Sequence, residues 1–185
     1  HPEEMRAVYE SGLSRVFLPE FDAMMQTPQR TIHHQYSVGE HTIHAIMGVP
    51  PDRILRLTML FHDIGKLEEL STFPENDYTD EGQLLGHIMI GAEMVGERIR
   101  TIPGFPKGTA NELKHCILAH HGELEYGSPK KPALAEALAL SFADNIDAKM
   151  ETIREIFASV PENNLEWQGY NRLLESNIRR SGRES

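Results

Sequence analysis

Apolar residues recur three and four positions apart along almost the whole chain, and nowhere do they alternate long enough to mark a half-exposed strand. The pattern predicts an all-α domain. Met5, Val8, Tyr9 and Leu13 mark a first short helix, Leu18-Pro19 breaks it, and Phe21 to Met25 mark a second. Ser37 is placed to cap a helix running to about Met47, and Asp52 to cap one from Arg53 to Asp63 that Gly65 helps to end. The stretch from Glu68 to Asp80, with Pro74 and Asn76, reads as the longest irregular connection. From Gly82 to Arg100 a helix carries Leu84, Ile88, Ala92, Val95 and Ile99 on one side, and Pro103-Gly104-Phe105-Pro106 turns the chain. Helices from Asn111 to His121 and from Ala133 to about Ala158 follow, separated by a loop over Gly127 to Pro132 and closed by Pro161. A last amphipathic piece with Trp167, Tyr170, Leu173 and Leu174 reads as a C-terminal helix packed on the core, and the tail beyond Ile178 as mobile.

There is no internal repeat, low-complexity tract or internal boundary, so the expectation is one structural domain. Residues 1–32 form a helical lead-in, 33–160 the main bundle, and 161–185 the C-terminal helix and tail. A chain of 185 residues with 39% hydrophobic and 25% charged residues can enclose a core, which excludes disordered and collagen-like structure. No apolar run approaches the roughly 18 to 20 residues that span a bilayer, and the N-terminus lacks a signal-peptide pattern. The expectation is a cytoplasmic protein without a membrane partner. The start at His1 reads as a piece of a longer chain.

Charge and cysteine count narrow the chemistry. The 18 basic against 28 acidic side chains give −10, which argues against duplex-DNA binding. Lys130-Lys131 and Arg179-Arg180-Arg183 still leave room for a local nucleic-acid contact. The single cysteine, Cys116, excludes both an intramolecular disulfide and a cysteine-rich zinc site, so any metal falls to histidine and carboxylate.

The ten histidines are the anomaly in the composition. His41, His62-Asp63, His87, His120-His121 and Asp144 lie on or at the ends of predicted helices, a distribution that suits ligands converging on a metal inside a helical bundle. Adjacent His62 and Asp63 would point about 100° apart in mid-helix, yet at a helix end both can reach one ion. A carboxylate flanked by imidazoles is the usual bridge between two close cations. Asp144 interrupts an apolar helix face, where an unpaired carboxylate is costly and a cation relieves the cost. His33 and His34 are candidates for the rim of the site, whereas His44 and His115 read as surface or satisfied core residues.

Phe61-His62-Asp63-Ile64-Gly65-Lys66, with His41 upstream and Asp144 downstream, resembles the signature of HD-domain metal-dependent phosphohydrolases. His87 and the His120-His121 pair resemble the subset that holds two metals. Residues 3–66, with Leu18-Pro19-Glu20-Phe21-Asp22 and Tyr36-Ser37-Val38-Gly39-Glu40-His41-Thr42, are similar to the HD region of bacterial tRNA CCA-adding enzymes. Residues 81–180 resemble the HD domain of YhaM-type 3′-to-5′ exoribonucleases through Leu85-Gly86-His87, Ala119-His120-His121-Gly122-Glu123, Ala143-Asp144-Asn145-Ile146-Asp147-Ala148-Lys149 and Tyr170-Asn171-Arg172-Leu173-Leu174-Glu175.

The resemblance implies one divalent cation on His41, His62, Asp63 and Asp144, and a second on Asp63, His87 and His120, with or without His121. Ligation by nitrogen and oxygen suits Mn²⁺ or Fe²⁺. It further implies hydrolysis of a phosphate ester, with Asp63 and Lys66 in the reaction and Lys66 on a phosphate oxygen. Lys130, Lys131 and His34 are placed to meet substrate, and Asp147 and Glu123 to support the ligands. The resemblance of residues 81–180 makes hydrolysis of RNA 3′ ends or short oligonucleotides the expectation; these 185 residues hold no nucleotidyltransferase head, which excludes nucleotide addition, and no RNA-binding OB domain, which argues against processive action on RNA. A homo-oligomer or a separate RNA-binding domain would complete the machinery. The alternatives are a phosphohydrolase of small or cyclic nucleotides, a di-iron oxygenase of the HD type, and a non-catalytic module that binds tRNA or a protein partner.

Overall fold

Three side chains start the helices that carry most of the chemistry. The Ser37 hydroxyl accepts from the Glu40 N–H at 3.2 Å, the Asp52 carboxylate from Leu55 N–H at 2.8 Å, and the Thr79 hydroxyl from Gly82 N–H at 2.9 Å. Each satisfies an N–H that the first helical turn leaves without a partner. The structure, a computed structural model, describes residue 2 and residues 4–28, 36–49, 51–71 and 77–182. His33 and His34 lie outside the described residues.

The order of elements is α1 (Glu4–Glu10), α2 (Ser14–Phe17), α3 (Pro19–Gln26), α4 (Val38–Met47), α5 (Arg53–Phe61), α6 (Lys66–Glu69), α7 (Asp80–Arg100), α8 (Lys107–Leu118) and α9 (Ala135–Ala158). A hairpin of β1 (Trp167–Asn171) and β2 (Ser176–Arg179) ends the described chain. The expected all-α class therefore holds for the bundle. Arg6 clamps Glu40 through two N–H···O contacts, of 3.1 and 2.5 Å, and Ser14 and Arg15 both hold the buried Asp22 carboxylate, which ties the lead-in helices to α4 and α3.

Two apolar clusters form the interior. Ala45, Ile46, Met59, Cys116, Ala119 and Leu140 belong to one, and Met24, Val38, Ile64, Val95, Leu113 and Ile117 to the other. Neighbours in sequence divide between them: Met59 and Ile64 fall on either side of His62-Asp63, and Ile117 and Ala119 just before His120 go to different clusters. The polar residues between them are thereby buried at the seam.

Three sequence expectations need correction. The helix over residues 80–100 is broken at Gly86, whose φ of 72° and ψ of 154° lie outside the helical range and are available mainly to glycine. Leu84, expected on the packed side, is consequently 82% exposed. Gly65 does not end a helix by adopting a left-handed conformation, since its φ is −65°. Its lack of a side chain lets α6 meet α7, because a Cβ there would lie 2.0 Å from the His87 carbonyl oxygen. The expected C-terminal helix is a hairpin in which Tyr170 pairs with Asn177 and Asn171 with Ser176, with an irregularity where Gly169 takes a φ of 93°. Trp167 and Tyr170 stay exposed rather than packing on the core. Just beyond Ile178, Arg179 pairs with Trp167, and the Arg180 guanidinium lies 4.8 Å over the Phe157 ring. Residues 183–185 of the expected mobile tail lie outside the described residues.

Candidate metal centre

The centre is built largely from helix ends. A helix leaves its last carbonyls without N–H partners, and two histidines use this. At the end of α5 the His62 Nδ1–H donates to the Met59 carbonyl at 2.6 Å, and just past α8 the His120 Nδ1–H donates to the Ile117 carbonyl at 2.7 Å. In both cases the ring folds back three residues, which turns Nε2 forward into the seam.

The other three rings are fixed in the same sense by other partners. His121 Nδ1–H donates to the Tyr126 carbonyl at 2.7 Å, His41 Nδ1–H to Asp147 at 2.8 Å, and His87 Nδ1–H to Glu69 at 3.0 Å. All five imidazoles thus have Nδ1 engaged, the arrangement by which outer partners orient metal-binding histidines, although in His41 Nε2 also meets Asp144 at 2.9 Å.

The ligand atoms fall into two groups. His41, His62 and Asp144 form one and His87, His120 and His121 the other, each with one atom per residue lying within 4.8 Å of the others. Asp63 stands between them. Its Oδ2 lies 3.6 Å from His41 Nε2 and 3.4 Å from His62 Nε2, while its Oδ1 lies 3.6 Å from His87 Nε2 and 3.8 Å from His120 Nε2. Lys66 Nζ donates to Oδ2 at 2.7 Å. The donor set fits a divalent cation on a further ground: Nε2 of His87 and Nε2 of His120 are buried without a hydrogen-bond partner among the described residues. Leaving such a lone pair unsatisfied costs about 1–3 kcal/mol, a cost that coordination removes.

The electrostatics follow from burial opposed by neighbours. Burial alone would raise the Asp63 carboxyl, but the charges of Lys66, His62, His87 and His41 hold it well below the usual carboxylate range. Burial likewise opposes ionisation of Asp144, and hydrogen bonds with His41 and His62 hold it low. His120 is pushed well below the ordinary imidazole value by burial and then by His121 and His62, so it stands neutral. Burial, with His87 next, lowers His121 as well. His41 is the exception: burial would depress it, yet its hydrogen bonds to Asp144 and Asp147 outweigh that and raise it to about 10.

The sign of the pH effect follows. An ion must displace the His41 proton, since both ring nitrogens face carboxylates at 2.8 and 2.9 Å. Asp63 and Asp144 are already ionised and contribute no proton at neutral pH. Affinity for Mn²⁺ at the His41 group is therefore expected to rise about tenfold per pH unit from 7 toward 10, with one proton released per ion bound. Calorimetry in buffers of different ionisation enthalpy reads that proton directly. Asp147→Asn, which removes one of the two carboxylates holding the charge, should cut the release and flatten the pH dependence.

Of the residues singled out from the sequence, the structure brings together His41, His62, Asp63, Lys66, His87, His120, His121, Asp144 and Asp147. It leaves others elsewhere. Glu123 pairs with Lys131 at 2.5 Å on the exposed surface, so neither faces the ligands, and Lys130 is exposed beside them. His44 stacks on Tyr36, and His115 accepts from the Ala133 N–H, as satisfied residues do. The sequence reading missed Glu69, which is buried and accepts from both the backbone N–H and the ring Nδ1–H of His87, at 3.0 Å each. The signal was Gly86: by breaking α7 it strips the His87 N–H of a helical partner, and Glu69 supplies one.

Helices that bury a His-Asp pair among histidines from neighbouring helices define a class, and the chain belongs to the HD domain family, whose model matches residues 31–149. That span contains every residue of both groups and Asp63. Among curated relatives, the 3′-5′ exoribonuclease YhaM of Bacillus subtilis is 43% identical over 162 residues, covering 80% of this chain and 51% of its own length. YhaM of Shouchella clausii is 41% identical over 141 residues, 69% of this chain and 44% of the relative. That of Halalkalibacterium halodurans is 44% identical over 97 residues, 52% and 30% respectively. The chain thus spans about half the length of these relatives or less. Covering 80% of this chain, the likeness to the Bacillus subtilis protein extends beyond the second half. No solved structure matches the chain. Among the described residues, no helix is long and apolar enough to cross a membrane.

Proposed function

We propose that the chain is the catalytic HD domain of a metal-dependent phosphodiesterase that shortens RNA from its 3′ end or degrades short oligonucleotides. The observation that carries this reading is Asp63, whose two carboxylate oxygens address two separate groups of inward-facing ligands. That arrangement suits two divalent cations, with Mn²⁺ or Fe²⁺ matching the nitrogen and oxygen donors. His41, His62, Asp63 and Asp144 would hold one and Asp63, His87, His120 and His121 the other. Such ions supply Lewis acidity, lowering the pKa of an attacking water and drawing charge from the phosphoryl group.

The remaining work falls to the protein. Lys66, on Asp63, brings a fixed positive charge beside the position of a non-bridging phosphate oxygen and stabilises the charge that develops there. Asp147 and Glu69 orient His41 and His87 and set their tautomers. Burial of Asp63 and of His41, His62 and His120 keeps competing water away from all but the open side of the centre. The exoribonuclease names of the relatives support RNA as the substrate class.

The test is 5′-labelled single-stranded RNA incubated with Mn²⁺-loaded protein and resolved by length. The expected result is a ladder that shortens from the 3′ end and disappears with a chelator. RNA left intact by protein shown to contain metal would overturn the reading and transfer the weight to small phosphate esters.

A further inference from the structure

A cavity of about 430 Å³ opens beside the centre, and the ligands His121 and Asp144 form one end of it. Most of the rest of its lining comes from α9, the helix that also carries Asp144, and from the C-terminal hairpin. From α9 come Asn145, Ala148 and Lys149, and from the turn of the C-terminal hairpin come Arg172, Leu173 and Glu175. We propose that this cavity takes the nucleotide next to the scissile bond, with its phosphate held by Lys149 and Arg172, so that the site selects strands carrying a second phosphate. The proposal rests on the phosphodiesterase reading above and adds to it the residues that make the enzyme prefer a chain to a single ester.

Three observations carry it. First, the two cations are exposed, and among the described residues neither has an ion-pair or hydrogen-bond partner, although the chain carries a net charge of −10. Beyond the ligands the cavity sets two cations against one carboxylate, Glu175, which makes it a local site for an anion in an otherwise acidic molecule. Second, Lys149 follows Asp144 by five residues on α9, a rise of about 7.5 Å along the helix axis, and both line the same cavity. Arg172 reaches the same space from the hairpin, and its planar fork suits phosphate.

Third, Tyr126 lines the cavity while its carbonyl accepts from the His121 ring. The phenol ring is 64% exposed and offers an aromatic face on which a base can stack without regard to sequence. Phosphate contact, stacking surface and metal ligands therefore meet in one space large enough for a nucleotide.

The experiment compares a dinucleoside monophosphate, UpU, with a trinucleoside diphosphate, UpUpU. Binding of each to the protein without added metal is measured by calorimetry, and kcat/KM for each with Mn²⁺. The expected result is a preference of about tenfold or more for UpUpU, equivalent to about 1.4 kcal/mol. Arg172→Ala and Lys149→Ala should each bring the ratio toward one, mainly through KM, while Arg172→Lys retains most of it. Equal binding of the two ligands by the parent protein, or an undiminished preference in both alanine variants, would overturn the proposal. Because binding is read without turnover, a parent that binds UpUpU preferentially yet cleaves neither ligand supports the subsite and counts against the phosphodiesterase reading alone.

Discussion

Asp63→Asn is expected to abolish phosphodiester hydrolysis while leaving the helical circular dichroism nearly unchanged. Asparagine keeps the volume of this fully enclosed side chain, so the apolar clusters on either side of His62-Asp63 stay in place. What changes is charge and bridging. The carboxylate is within 3.4 to 3.8 Å of four ring nitrogens and accepts from Lys66 at 2.7 Å. Removing its charge deprives both ligand groups of their common anion and leaves the Lys66 ammonium, 13% exposed, without the partner at 2.7 Å. A single oriented electrostatic contact in such a site is worth about 10²- to 10³-fold in rate, and a carboxylate that bridges two ions, as proposed for Asp63, would act twice, so a loss of about 10⁴-fold or more is expected. Kinetics on labelled RNA, with metal content by elemental analysis, checks it. A variant that retained both ions and full turnover would remove Asp63 from the centre of the mechanism.

Gly65→Ala should be nearly as damaging by a purely steric route. The new Cβ would fall 2.0 Å from the His87 carbonyl oxygen and 2.6 Å from the Gly91 nitrogen, both of them backbone atoms that cannot rotate aside. Relief requires α7 to move away from α6 and to carry His87 with it. Overpacking of this kind costs about 3 kcal/mol, and for a chain of this size that is a fall in Tm of roughly 10 °C. Gly108→Ala is the control, since open space surrounds its Cβ and it lies inside α8, where alanine is the better helix former. Thermal unfolding should separate the two plainly. An unchanged Tm for Gly65→Ala would contradict the close approach of α6 and α7.

These two residues show what a sequence makes visible. Asp63 stood out because a His-Asp pair at a helix end, with histidines elsewhere on apolar faces, has few other physical uses. Proximity of the seven candidate ligands was legible from their spread over several helices and from the resemblance to the HD signature, with Asp144 the clearest interruption of an apolar face. The role of Gly65 was not legible, because a glycine needed for close approach looks the same in sequence as one needed for a turn. Gly86 was hidden differently. One glycine costs a helix only about 1 kcal/mol, so the periodicity of residues 82–100 carried the reading through a real break, and with it went the burial of Leu84 and the part played by Glu69.

The hairpin was missed through coincidence of spacing. Trp167, Tyr170, Leu173 and Leu174 repeat at helical intervals, but the strand irregularity at Gly169 and a turn in which the Asn171 carboxamide oxygen accepts from Leu174 N–H produce the same spacing. Asparagine and glycine at those two positions were the available signal. The difference bears on the proposed subsite, since it is the turn of this hairpin that contributes Arg172 and Glu175 to the cavity.

The way α5 and α8 end has an electrostatic consequence. Both helices run with their C-termini toward the seam, delivering His62 and His120 there. A helix carries the equivalent of about half a negative charge at that end, from the aligned dipoles of its peptide groups. Two such ends converge on Asp63 and Asp144, so the backbone itself adds negative potential at the place where the side chains collect lone pairs. The protein is thus biased toward positive charge at this point by its main-chain direction, independently of which residues occupy the ligand positions.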